Sequence, residues 1–473
     1  MKRLLLTGLV AIPLFSGEFE SEMQQYMKEA TAEFESYRQS ELSEFNEFVK
    51  KQWQEFQLFQ GLDPYEEPKM TKPPVAKPKP PEKATTPKVQ PPKIVLPKPA
   101  PEPKPPVVIP KPSTPLYSFE FFGTKVAVPY SKNMLVSLGK PSKESITQAL
   151  EGLETSGYAQ TIDVLKGYQK SLGLNDWGYY RLIHLFASGV TKNENNANML
   201  TWFLLIKGGY DSKVAYNASE LMVFGTADTK VYQTAFLNEG SKRYYVLDPK
   251  GYKRSIGAVY TFQGSYPKSE NALDFTVSNI NLGKEINEKK LHFSYEGRKY
   301  AITVDYRPQK VAFYAQNPQT EFDLYFKAPV DGVTAKSLLG QLKPLVEGRT
   351  ELDAVNFLLR FVQSSFAYQR DEKQFQREKP LFPEETIYYP NSDCEDRSIL
   401  FAYLVRNLLA LPVVVLHYPG HLATAVSFNG KVSGDGLKYQ GRQYVVTDPT
   451  YVGANAGMSM PQFKSKKFTV IGL

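Results

Sequence analysis

From Asp63 to Pro115 proline and lysine dominate the chain, as in KPPVAKPKPPEKATTPKVQPPKIVLPKP, and this stretch dictates how everything else is partitioned. Proline fixes φ and removes a backbone donor, so no helix or sheet ladder can run through it. The segment therefore reads as an extended polyproline spacer, residues 63–115. At about 3.1 Å per residue, about fifty residues would reach on the order of 150 Å. Its lysines keep such a spacer soluble and also offer contacts to an anionic cell-envelope polymer. The parts of the chain on either side of it must fold separately.

Ahead of the spacer, Lys2 and Arg3, an apolar stretch from Leu4 to Phe15, and the small residues Ser16 and Gly17 have the three-part layout of a secretory signal, residues 1–17. The expected product is secreted or periplasmic, or held at the cell surface. No stretch supplies the roughly 20 consecutive apolar residues of a membrane span. Residues 18–62 are acidic and carry Phe19, Met23, Tyr26, Ala30, Phe34, Tyr37, Phe45, Trp53, Phe56 and Phe59 at mostly three- and four-residue steps. That spacing predicts one apolar stripe on a long helix, which either self-associates as a coiled coil or lies on another surface. A net charge of +8, concentrated in the spacer, gives no argument for nucleic acid. Zinc clusters, P-loops and dinucleotide fingerprints are missing, so neither a cofactor nor a metal is expected.

Beyond the spacer the pattern is α+β. Residues 116–250 alternate helical and strand patterns. Residues 251–335 look strand-rich, with RSIGAVYTFQG, ALDFTVSNINL, KLHFSYEG, KYAITVDY, KVAFYAQN and FDLYFKAP separated by turn signals, as in an antiparallel sheet or small sandwich. Helical periodicity returns after Thr334 in AKSLLGQLKPLVEG and TELDAVNFLLRFVQSSF, opening a last domain, residues 336–473.

Cys394 is the chain's single cysteine. In an exported chain a thiol without a partner invites a chemical role. Ser392 and Glu395, just ahead of the apolar run Ile399–Leu411, match a capping box, which would put Cys394 in the first turn of a helix. Unpaired backbone N–H groups there favour a thiolate. Asp393, Glu395 and Asp396 push the other way, so a nearby imidazole would be needed. VVVLHY then reads as a buried strand, Pro419-Gly420 as a turn, and HLATAVSF as a second strand opening with His421. RQYVVTDPTY is a third, ending at Asp448-Pro449. His417 is a rival base at the end of the preceding strand, where a structural role is the plainer reading. The turn between His417 and His421 rules out a helical zinc pair.

Cysteine at a helix start, histidine at a strand start and aspartate at the end of the next strand resembles the transglutaminase-like members of the papain-type superfamily, over about residues 350–455. YPNSDCEDRSILFAYLVRNLL, YPGHLATAVSF and YVVTDPTY are also similar to exported Bacteroidetes proteins carrying a transglutaminase-like domain. The resemblance implies a papain-type core in which Cys394 is the nucleophile, His421 takes and returns its proton, and Asp448 orients the imidazole. Protein-crosslinking relatives place tryptophan after the cysteine and use another for the oxyanion. Here Glu395 follows Cys394, and the tryptophans are Trp53, Trp177 and Trp202. Asn391 or Tyr389 would then assist the oxyanion.

RYYVLDPKG ending at Asp248 mirrors QYVVTDPTY ending at Asp448, an offset of 448 − 248 = 200, and the helix NMLTWFLLIKGGY and strand SKVAY keep nearly the same offset. Residues 116–250 are thus expected to be a degenerate transglutaminase-like copy, with Asn193 or Glu194 at the cysteine position and Leu221 at the histidine position. The leading expectation is an exported cysteine hydrolase of peptidase or amidase type, acting on a peptide or protein substrate. The alternatives are a non-catalytic envelope scaffold that binds peptide or glycan, and a protein-crosslinking transglutaminase.

Overall fold

Among the described residues, the first strand follows the densest run of prolines. Leu116–Phe121 (β1) and Thr124–Pro129 (β2) form an antiparallel hairpin, and Lys143–Glu154 (α1), Ala159–Leu172 (α2), Asp176–Thr191 (α3) and Glu194–Lys207 (α4) come after it. Ser142, Asn175 and Asn193 cap α1, α3 and α4 by accepting backbone N–H groups, as helix starts require. Ser212–Tyr216 (β3), Leu221–Thr226 (β4), Val231–Tyr232 (β5), Phe236–Glu239 (β6), Lys242–Val246 (β7) and Tyr260–Thr261 (β8) come next. All but β5 join one sheet in the order β6-β7-β4-β3-β8. This computed structural model describes residues 69–77, 84–94, 96, 114–252, 255–264 and 266–473. The expected export signal, 1–17, and the expected acidic helix, 18–62, lie outside the described residues.

The same plan recurs. Asn287–Tyr295 (β9) and Arg298–Tyr306 (β10) form a hairpin. Pro308–Tyr314 (α5), Gln319–Thr320 (β11), Phe322–Lys327 (α6), Gly332–Val346 (α7) and Glu351–Ser365 (α8) succeed it. An inserted stretch carries Ala367–Tyr368 (β12), Asp371–Gln374 (α9), Pro383–Tyr388 (α10) and Asn391–Ser392 (β13). Cys394–Leu409 (α11) then leads into Val413–Tyr418 (β14), His421–Val426 (β15), Gly436–Tyr439 (β16), Arg442–Thr447 (β17) and Thr469–Gly472 (β18), with the sheet order β16-β17-β15-β14-β18. Hairpin β1–β2 packs on α2 and α3 as β9–β10 packs on α7 and α8. The two regions are therefore topological repeats, each with a central helix against a five-stranded antiparallel sheet.

Register fixes the equivalences. Asn198 donates to the Leu221 carbonyl at 2.8 Å, and Ser398 donates to the Leu422 carbonyl at 3.2 Å. Val214 lies opposite Val223 as Val415 lies opposite Thr424, so the helices are offset by 398 − 198 = 200 and the first two strands by 415 − 214 = 201. One extra residue between helix and strand in the second repeat makes the difference. Glu220, whose carbonyl takes the Asn217 N–H at 3.0 Å, therefore stands where His421 does, and the expectation of Leu221 there was off by one residue. At the helix start Glu194 stands where Cys394 does.

Strand-rich character over residues 251–335 is limited to β8, the β9–β10 hairpin and β11. KVAFYAQN and FDLYFKAP fold as α5 and α6, with Pro308 at a helix start and Val311 and Tyr314 one turn apart on a buried face. ALDFTVSNINL runs extended with only isolated bridges, and buries Leu273, Phe275, Val277, Ile280 and Leu282. Alternating burial is what it shares with a strand; ladder pairing is what it lacks.

The proline-rich segment also departs from a free spacer. Residues 69–77 and 84–92 lie along the second repeat. Val75 bridges Val452 in parallel, and Val89 is buried with its N–H on the Arg349 carbonyl at 2.7 Å. Proline excludes a continuous ladder, but an extended chain can still satisfy single backbone groups on a neighbouring surface. Among the described residues no helix is long and apolar enough to cross a membrane.

Candidate functional site

α11 starts at Cys394 with Asp393 as its N-cap residue, one position later than a Ser392–Glu395 box would place it. The Asp396 carboxylate accepts the Asp393 N–H at 3.1 Å and the Leu381 N–H at 2.8 Å. Ser392 instead accepts from buried Arg397 Nε at 3.1 Å, and Arg397 also donates to the Phe366 carbonyl at 2.8 Å. The start of α11 is thus locked to the inserted stretch and to the end of α8.

On the sheet, His421 Nε2 lies 2.9 Å from Asp448 Oδ2, with both side chains buried. A carboxylate at that distance accepts a hydrogen bond from Nε2–H, which in the neutral ring makes Nδ1 the acceptor. Nδ1 is buried and has no hydrogen-bond partner among the described residues. Asp448 is itself fixed: Oδ1 accepts the Thr450 N–H at 2.9 Å and the Tyr451 N–H at 3.2 Å, while its carbonyl accepts from Gln363 Nε2 at 3.1 Å. Phe463 stacks on the imidazole with ring centres 4.6 Å apart.

Cys394 and His421 are not hydrogen-bonded to each other. The Cys394 thiol donates to Glu395 Oε2 at 3.1 Å. Burial, then the Glu395 and Asp393 carboxylates, hold the thiol pKa well above its ordinary value, with Lys69 opposing them. The helix start therefore does not prevail over the acidic neighbours in this arrangement. Alternation along β15 explains the separation. Leu422 and Val426 enter the core shared with α11, whereas Ala423 and Ala425 enter an outer cluster with Tyr418, Tyr451, Met460 and Phe463, and His421 shares their parity.

The residue that reaches the cysteine's surroundings is Lys69, from the proline-rich segment. Its ammonium donates to Asp393 Oδ2 at 3.1 Å and to Glu378 and Glu395. Burial works against this charge, yet Asp393, Glu395 and Glu378 outweigh it and raise the Lys69 pKa. Burial likewise pushes Glu378 up to about 8 and Asp393 up to about 7, with Lys69 as the main opposing influence. Ligand atoms of Asp371, Glu378, Asp393 and Glu395 lie within 4.8 Å of one another, a donor set that also suits a hard cation. Nothing in the sequence singled out Lys69 among the spacer lysines or Glu378 in its loop.

The two oxyanion candidates part company. Asn391 pairs with Ala367 in the short β12–β13 bridge leading into Cys394. Tyr389 packs on Phe375 and lines a cavity of about 430 Å³ with Arg181, Tyr252, Gln316 and Arg377; Cys394 does not line it. His417 sits on β14 against Phe322. No family model, curated protein or solved structure matches this chain.

Proposed function

We propose that the second repeat is a cysteine hydrolase of transglutaminase-like, papain-type character, exported to the cell envelope and active on peptide or amide bonds, and that the first repeat is its degenerate copy. The carrying observation is the buried His421–Asp448 pair at 2.9 Å, with Nδ1 unpartnered among the described residues. In the reaction, the Cys394 thiol leaves Glu395 and comes within reach of the imidazole; Nδ1 then takes its proton as sulfur attacks the acyl carbon, and returns it to the amine that leaves. Water activated by the same nitrogen then cleaves the thioester, releasing the acid and restoring the thiol. Asp448 keeps its carboxylate throughout and steadies the imidazolium. Glu194 and Glu220 at the matching positions of the first repeat offer neither nucleophile nor imidazole, which supports degeneracy there.

A second reading, a non-catalytic peptide-binding scaffold, is favoured by the bond from the Cys394 thiol to Glu395. Alkylation of Cys394 by iodoacetamide separates the two readings, measured in full-length Lys69→Ala and in Lys69→Ala/His421→Ala. Catalysis predicts labelling at least about tenfold faster in the first. Equal rates in both would favour the scaffold.

A further inference from the structure

Residues 69–77 are an extended peptide seated in a groove of the second repeat. At one end the Lys69 ammonium meets Glu378, Asp393 and Glu395, three acceptors for its three protons. The Lys69 carbonyl accepts from Arg370 Nη1 at 3.3 Å, and the Met70 carbonyl accepts from the Tyr368 hydroxyl at 2.9 Å. The Met70 side chain packs on the outer cluster that includes Tyr418 and Phe463, the two rings flanking His421. Farther along, the Val452 N–H donates to the Pro74 carbonyl at 3.1 Å, and the Ala76 N–H donates to the Val452 carbonyl at 2.8 Å. Lys72 and Lys77 point to solvent. The segment thus passes from the Cys394 side of the site to the His421 side.

The groove is built for a charged occupant. Asp393 and Glu395 are almost completely buried, and Asp393 Oδ1 has no hydrogen-bond partner among the described residues. Buried carboxylates this close repel unless a cation or protons join them. The main-chain contacts are those by which a protein surface binds an extended peptide: backbone groups give general affinity and one pocket reads a side chain. Prolines 73 and 74 hold the occupant extended before it docks, which lowers its ordering cost.

We propose that this groove is a binding site for a lysine-bearing polypeptide in extended form, with Glu378, Asp393 and Glu395 reading the ammonium, and that residues 69–77 are its intramolecular occupant. A free peptide enters only by displacing that occupant, whose tether gives it a large effective concentration. The site concerns binding and stands whether or not Cys394 reacts.

The test uses the full-length chain and an N-acetylated, C-terminally labelled peptide of residues 69–77. Lys69→Ala/Met70→Ala should bind the peptide at least about tenfold more tightly than the unaltered chain, and a peptide with norleucine in place of Lys69 should lose at least about tenfold. Should the double variant not fold, acylation of lysines in the unaltered chain by an N-hydroxysuccinimide ester gives the answer. Lys69 should react more slowly than Lys72 and Lys77, and excess lysine peptide, not norleucine peptide, should speed it. Equal effects of the two peptides, or Lys69 freed by calcium chloride but not by the lysine peptide, would overturn the proposal, the latter by marking a metal site.

Discussion

Asp248 and Asp448 lie just past equivalent strands, and each carboxylate accepts a backbone N–H two residues on, from Lys250 at 2.9 Å and from Thr450 at 2.9 Å. Among the described residues, only Asp448 also holds an imidazole and a second N–H, that of Tyr451. Asp448→Ala leaves those buried donors unpaired and should cost about 2–4 kcal/mol, whereas Asp248→Ala at its more open turn should cost about 1 kcal/mol or less. Urea denaturation of the two variants checks this. Equal losses would mean that the turn alone, and not the His421 contact, accounts for the Asp448 side chain.

Stability should fall as pH rises through neutrality. Glu378 is held up to about 8, and Asp393 and Asp396 up to about 7, in the folded chain. Their unfolded values lie near 4. Between those limits the folded state carries more protons than the unfolded state, so unfolding free energy declines with pH. Lys69, raised above its unfolded value, contributes throughout this window and loses its contribution only at strongly alkaline pH. The urea midpoint should therefore be higher at pH 5 than at pH 8, with the slope reduced in Glu378→Gln. A midpoint that rises over that range would refute the assignment.

The α+β class, the repeat at an offset of 200 and the positions of Cys394, His421 and Asp448 in their elements could all be read from apolar runs broken by Asp-Pro and Pro-Gly turns. A one-residue difference in the connection after the helix was not visible, because Leu221 fits a strand as well as Leu422 does; only pairing shows that Glu220 matches His421. Residues 308–327 misled because a short buried helix and a short strand look alike when apolar residues lie close together. The seat of Lys69 was illegible for a different reason. Proline and lysine carry no periodicity, and the partners Glu378, Asp393 and Glu395 lie some three hundred residues away, so nothing local distinguishes Lys69 from Lys72.

Phe463 should matter more for orientation than for stability. It stacks on His421 at 4.6 Å, nearly parallel at 19°, and is 8% exposed. Phe463→Leu keeps most of the packing and should cost less than about 1.5 kcal/mol. Loss of the flat ring frees the imidazole, so the His421-dependent part of Cys394 alkylation should drop several-fold in the Lys69→Ala background. Unchanged alkylation would show that Tyr418 and Asp448 suffice to position the ring.

Gly430 offers a way to loosen the proline-rich segment without touching the cysteine. A methyl group there would sit 2.2 Å from the Thr85 carbonyl oxygen and 2.8 Å from the Thr86 Cα, both backbone atoms that cannot step aside. Gly430→Ala should lift residues 84–90 off the surface and raise trypsin cleavage at Lys88–Val89 at least about tenfold under native conditions. The urea midpoint of the rest of the chain should move little. Cleavage at the unaltered rate would mean that this stretch opens freely already.

The contact between Lys69 and Asp393 spans 324 residues, and its order along the chain has a cost in time. Synthesis runs from the N-terminus, so residues 69–77 emerge long before the carboxylates, Val452 or the outer cluster that receive them. The first repeat can complete its own sheet in the interval, while the proline-rich segment has to wait unpaired. Closing so long a loop comes late and slowly in folding. The second repeat is thus made after the segment it has to receive, so its final packing is set by diffusion of a tether rather than by local structure.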